Sequence, residues 1–244
     1  MTTTRADLIR DLKERLRAWE GTEQRTAGEA ICSTGLPELD RLLPRGGLGR
    51  GAILEWLSAG DGAGAAPLVL ALAARVQEQG GAIVVIDERR EFYPPAAAAL
   101  GLDLERMVVV QPANARAALW ALEESLRCPA AGVVLGWCDS LGDRAFRRLQ
   151  LAAEAGAGLG LLLRPARCRS EPSWAEARLL VSSRHIPHTA AAAPCLHRRL
   201  CVEVLHCRGA FGGAAINLEL HHEAGHVHLA PVVADPAPPR RARA

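Results

Sequence analysis

The sequence is short of net charge: 29 Lys plus Arg against 27 Asp plus Glu leave +2 over 244 residues. A protein that coats nucleic acid by bulk electrostatics is excluded, and any phosphate contact must be local. Aromatic residues make up only 4% of the chain, and among the arginines at positions 164, 167, 169, 178 and 184 the one interleaved ring is Trp174. A base-stacking platform has little to build on there. Long apolar runs are missing too, since residues 68–74 and 156–163 fall well short of the ~20 residues a membrane-crossing helix needs. No membrane span is expected. The seven cysteines (Cys32, Cys128, Cys138, Cys168, Cys195, Cys201, Cys207) form no CxxC pair, and no secretory leader is read ahead of them, so a reducing cytoplasm is the expected compartment.

What the chain does have is the make-up of a soluble globular protein, 49% hydrophobic and 23% charged, which excludes global disorder. Its length suits one domain with a small appendage. Residues 1–30 are expected to be an amphipathic helix and a linker: Leu8, Ile9, Leu12, Leu16 and Trp19 form one stripe, and residues 21–29 are polar. Residues 31–234 are expected to form the core, and 235–244, rich in Pro and Arg, a disordered tail.

From residue 52 onward, short apolar runs alternate with helical periods, the pattern of βα units on a mainly parallel sheet. The predicted strands are 52–57, 82–87, 107–111, 132–137 and 159–164, and the clearest helices 67–79, 114–127 and 143–155. Past residue 179 the helical period stops, and 179–182, 200–205, 214–220 and 227–233 read as antiparallel strands, with 209–213 a hairpin loop. The expected fold is α/β, a mainly parallel sheet flanked by helices with antiparallel strands at its C-terminal edge.

The first strand runs into Ser58-Ala59-Gly60-Asp61-Gly62-Ala63-Gly64-Ala65-Ala66 and then a helix, the place for a phosphate-cradling loop. Such a loop works when glycine amides surround the phosphates, a lysine neutralises them and a hydroxyl holds magnesium. With Gly64 as the last glycine of that pattern, Ala59 stands for the first, Ala65 for the lysine and Ala66 for the hydroxyl residue, while Asp61 adds negative charge. Gly60, Gly62 and Gly64 are the candidate, degenerate nucleotide site; a tight strand-to-helix turn is the simpler use of them. The 132–137 strand ends in Gly136-Trp137-Cys138 before Asp139, leaving no carboxylate where magnesium would be held. No cofactor, no catalytic residue and no ATPase activity are expected.

The run Ser33 to Asp40, then Gly46-Gly47-Leu48-Gly49-Arg50-Gly51 and Glu55, resembles the lead-in to the ATPase core of RecA recombinases, and the likeness continues through Val85-Ile86-Asp87 and Ala99 to Asp103 up to Gln111-Pro112. In that match the place of the water-activating glutamate is held by Arg89. With Arg147 to Glu154 and Gly158 to Arg164, the chain is similar to the ImuA family, RecA-like accessory proteins of mutagenic translesion synthesis. The resemblance implies a cytoplasmic, non-catalytic, SOS-type DNA-damage role. The implied partners are an ImuB-like Y-family polymerase homologue and an error-prone replicative-type polymerase, with RecA a further candidate. The alternative is a divergent DNA-dependent ATPase or recombinase accessory.

Three local readings accompany this. Arg164, Arg167 and Arg169 are candidate contacts to a phosphate backbone. Cys195, His197, Cys201, His206 and Cys207, with His185, His188, His221, His222, His226 and His228, concentrate metal-ligand chemistry, but the spacing is irregular and buried cysteines with edge histidines are the preferred reading; no metal is expected. Trp56, Trp120 and Trp137 are expected in the core, and Phe92 and Tyr93 sit between turn residues either as an exposed patch or packed under the sheet edge.

Overall fold

The computed structural model of the chain describes residues 31–43, 45–184, 198–209, 212–223 and 226–231. The expected N-terminal helix and linker and the C-terminal tail lie outside the described residues, as do Cys195, His185, His188 and His197.

Two short strands, β1 (Ile31–Cys32) and β2 (Leu48–Gly49), pair antiparallel around a one-turn helix, α1 (Pro37–Asp40). The main sheet then begins with β3 (Ile53–Ser58), followed by α2 (Ala65–Glu78), β4 (Ala82–Ile86), α3 (Pro94–Ala99), β5 (Met107–Val110), α4 (Ala115–Arg127), β6 (Ala131–Trp137), α5 (Asp143–Gly156) and β7 (Leu159–Pro165). A 3-10 turn (Ala166–Ser170) leads into β8 (Ala177–Arg184), β9 (Arg198–Cys207), β10 (Ala215–Glu223) and β11 (His226–Pro231). The nine strands of this sheet lie in the order β11-β10-β9-β8-β3-β7-β6-β4-β5.

Strands β5, β4, β6, β7, β3 and β8 run parallel, and β9 to β11 antiparallel. This is the RecA-like α/β arrangement. One expectation is corrected in detail: residues 179–182 belong to a strand parallel to β3 and antiparallel only to β9, so the change of direction falls one strand later.

The central strands are apolar on both faces because helices cover both. Leu54 and Trp56 of β3 face one layer with Leu68 and Leu72 of α2, while Ile53 faces the other with Leu122 and Leu126 of α4 and Phe146 and Leu149 of α5. Local signals set the helix ends. Asn114 caps α4, its Oδ1 accepting the Ala117 N–H at 3.0 Å, as expected of that residue type. α5 runs through Gly156 rather than stopping before it; a Cβ there would lie 2.1 Å from the Leu126 carbonyl oxygen, so glycine lets α5 and α4 approach.

The helix α3 escapes the sequence reading. Pro94 and Pro95 open α3, where a proline's missing N–H costs nothing; Phe92 packs on the core and Tyr93 is exposed. Trp120 is 64% exposed, correcting its expected place in the core: the buried stripe of α4 is Ala118, Ala121, Leu122 and Leu126, and position 120 points away from it. Trp56 is fully buried and Trp137 packs partly against the core. Among the described residues no helix is long and apolar enough to cross a membrane.

Candidate functional site

The loop after β3 closes on itself. The Ser58 hydroxyl donates to the Gly60 carbonyl at 2.7 Å, the Ala59 N–H donates to Val181 O at 2.9 Å, and the Ala63 N–H reaches back to Gly60 O at 3.2 Å. Gly62 and Gly64 have φ of +67° and +92°, a region glycine enters without steric cost. Gly64 caps α2 with no side-chain hydrogen bond. The three glycines thus share one loop, and it lines a cleft of about 710 Å³.

Strand β9, far along the chain, braces this loop. Arg198 Nη2 donates to the Gly62 carbonyl at 2.7 Å, and a Cβ on Gly64 would meet Leu200 Cδ2 at 2.5 Å. Ala65, where a phosphate-binding lysine would stand, is 3% exposed and packs into the core. The chain's one lysine is Lys13, so every cation on the cleft is an arginine.

Across the cleft two arginines share one carboxylate. Arg89 bonds the Asp139 carboxylate, and Arg167 lies 3.5 Å from the same oxygen. Asp87, 2% exposed, accepts the backbone N–H groups of Glu91 at 3.0 Å and Phe92 at 3.1 Å. It therefore closes the turn after β4.

The three arginines read as a phosphate-contacting group separate. Arg164 is 2% exposed and cannot serve as a surface contact: Nη1 meets Glu55 Oε1 at 2.5 Å, Nη2 meets Glu171 Oε2 at 2.5 Å, and Nε donates to the Cys138 carbonyl at 3.2 Å. Burial works against its charge, but the bonds to Glu55 and Glu171 outweigh it and raise its pKa. Arg178 is also buried, its Nε 2.6 Å from Glu55 Oε2 and its Nη1 donating to the carbonyls of Arg169 and Glu171 at 2.8 Å each. Arg167 and Arg169 remain exposed, the latter 3.7 Å from Glu203. Trp174 is engaged within the fold: its Nε1 donates to Asp143 at 2.8 Å, and the Arg147 guanidinium stands 4.6 Å from its ring centroid.

Residue reading missed the buried carboxylate and the brace. A signal for the first was present: Glu55 is the lone charge in Ile53–Ser58, and a buried carboxylate needs a buried cation. The brace depends on the meeting of two distant segments and leaves no local trace. Of the His and Cys concentration, Cys207 lies in the core with its thiol pushed up to about 11 by burial, and Cys201 is half-buried. No group of three or more His, Cys, Asp or Glu that could hold a metal is found among the described residues.

The RecA N-terminal domain model matches residues 19–143. Protein ImuA of Caulobacter vibrioides is 30% identical over 138 residues, 54% of this chain and 57% of that protein. Protein RecA of Deinococcus radiodurans is 36% identical over 105 residues, 43% of this chain and 29% of that one. Cell division inhibitor SulA of Photorhabdus laumondii subsp. laumondii is 35% identical over 78 residues, 32% of this chain and 44% of its own length. The chain therefore spans from 29% to 57% of the length of these curated relatives.

Proposed function

We propose that this chain, which belongs to the RecA N-terminal domain family, is a non-catalytic, ImuA-like accessory protein of damage-induced translesion synthesis. It acts by contacts with an ImuB-like Y-family polymerase homologue and an error-prone replicative-type polymerase. The observation that carries the reading is the loop after β3, whose carbonyl and glycine are held by Arg198 and Leu200 while Ala65 sits in the core. Catalytic phosphoryl transfer rests on placed cations and magnesium at the phosphates. Here the loop is kept in shape by the protein's own strand, and Arg89 and Arg167 are both turned to Asp139.

The test pairs two measurements on the full chain. ATP turnover with single-stranded DNA is expected to stay at background, and co-purification with the ImuB-like protein of the same genome is expected to succeed. Tight magnesium-dependent capture of ATP in calorimetry would overturn the non-catalytic part and favour the divergent ATPase. The shorter likeness to SulA supports a second reading, a cell-division inhibitor. Filamentation of host cells on expression of the chain, without co-purification, would favour it.

A further inference from the structure

Two of the large apolar side chains that the fold leaves in water lie on neighbouring helices. Trp120 of α4 is 64% exposed and Leu151 of α5 is 47% exposed. The helices are tied where Glu123 of α4 bonds Arg148 of α5. Trp120 is one turn before Glu123 and Leu151 one turn after Arg148, so both flank the same bridge.

The charges of this face are unevenly used. Glu123 bonds Arg148 and also Arg127 at 2.9 Å, and Glu124 pairs with Arg127 at 2.7 Å. Asp143 accepts the Trp174 indole N–H, and Glu154 accepts from Gln150. Arg116, one turn before Trp120, and Arg144, one turn before Arg148, are exposed and have no carboxylate partner among the described residues. The acids of the two helices are engaged, whereas Arg116 and Arg144 are not.

We infer that this α4–α5 face is a docking surface for an acidic segment of a partner protein, whose apolar anchor seats on Trp120 between Arg116 and Arg144. An indole with adjacent guanidiniums is the composition of an interface hot spot, and Trp combines large area with few rotatable bonds. Nucleic acid is a poorer occupant: beside Trp120 the exposed apolar side chain is Leu151, which offers no face for base stacking. The inference rests on the partner reading proposed above.

The test measures affinity of the full chain for the ImuB-like protein of the same genome by biolayer interferometry. Trp120→Ala and the pair Arg116→Glu/Arg144→Glu are compared with the wild type, each with a thermal melt to verify folding. Each variant is expected to bind roughly tenfold or more weakly, with the charge pair flattening the salt dependence. Charge reversal of the acidic partner segment found by cross-linking is expected to restore binding to the Arg116→Glu/Arg144→Glu chain. Binding unchanged in both variants while the wild type binds overturns this inference alone; a wild type that does not bind overturns the partner reading and this inference with it. Loss of single-stranded DNA binding, or of a dimer in sedimentation, by Trp120→Ala with partner affinity intact assigns the face to DNA or to a second copy and likewise overturns it.

Discussion

Glu55 and Arg164 form an ion pair inside the sheet, Oε1 and Nη1 2.5 Å apart with both side chains at 0% exposure. Glu55 also takes Arg178 at 2.6 Å and the Ser173 hydroxyl at 2.5 Å. One carboxylate thus anchors β7, β8 and the loop between them to the middle strand. Replacing it alone removes a carboxylate from two buried guanidiniums, leaving Arg164 with Glu171 and Arg178 with backbone carbonyls.

Glu55→Ala is therefore expected to lose about 3–5 kcal/mol in urea or thermal unfolding. The triple change Glu55→Leu/Arg164→Met/Arg178→Leu removes charge along with its partners and is expected to lose less than that single change. A milder single variant would show that the pair is solvated and disprove the assignment. For the same reason, a DNA-binding assay with Arg164→Ala reports folding; Arg167→Ala/Arg169→Ala, both at exposed positions, is the variant that reads contact.

Gly64 is constrained twice, by its φ of +92° and by Leu200. Gly64→Ala is expected to destabilise by about 1–3 kcal/mol. Adding Leu200→Ala removes the clash but keeps the strained φ, so the double variant is expected to fall short of the sum of the two single losses. Strict additivity in chemical denaturation would separate β9 from the loop.

Ala65→Lys restores the missing phosphate ligand in sequence but not in space. The side chain enters a core position, 3% exposed, where an unpaired ammonium is costly. The expected result is a lower melting temperature and no gain of magnesium-ATP binding by calorimetry. A micromolar ATP site in this variant would show that the loop opens readily.

Glu123 predicts a pH effect. Burial pushes its pKa up, but bonds from Arg127 and Arg148 outweigh it and leave the group below its ordinary 4.5. The folded protein holds that proton less tightly than the unfolded chain, so the contribution is complete above 4.5 and is lost as pH falls through the folded value. Glu123→Gln is expected to cost about 1 kcal/mol near neutrality, with the gap to wild type closing in acid. A gap that persists at pH 3 would contradict the ionised pairing.

Much of the sheet was legible because its strands are short β-branched and leucine runs between helical periods: Ala82–Ile86, Met107–Val110 and Leu159–Pro165 fall within one residue of their predicted ends. Side-chain roles were less so. Arg164 reads as surface because arginine usually is, and only its strand neighbour Glu55 explains the exception. Trp120 reads as core because tryptophan usually packs, although the Ala118–Leu122–Leu126 stripe already excludes its position. Arg198 and Leu200 could not be assigned to the loop, since the match depends on where β9 lands against β8.

The hydrogen bond from Arg198 to Gly62 spans 136 positions of sequence. During translation the glycine turn leaves the ribosome long before its clamp is made. Its final shape must wait for β9, which makes fixing of that turn a late folding step. A nascent chain stalled before β9 would present the turn unclamped, and protease nicking between Gly60 and Gly64 would then report how far synthesis had progressed.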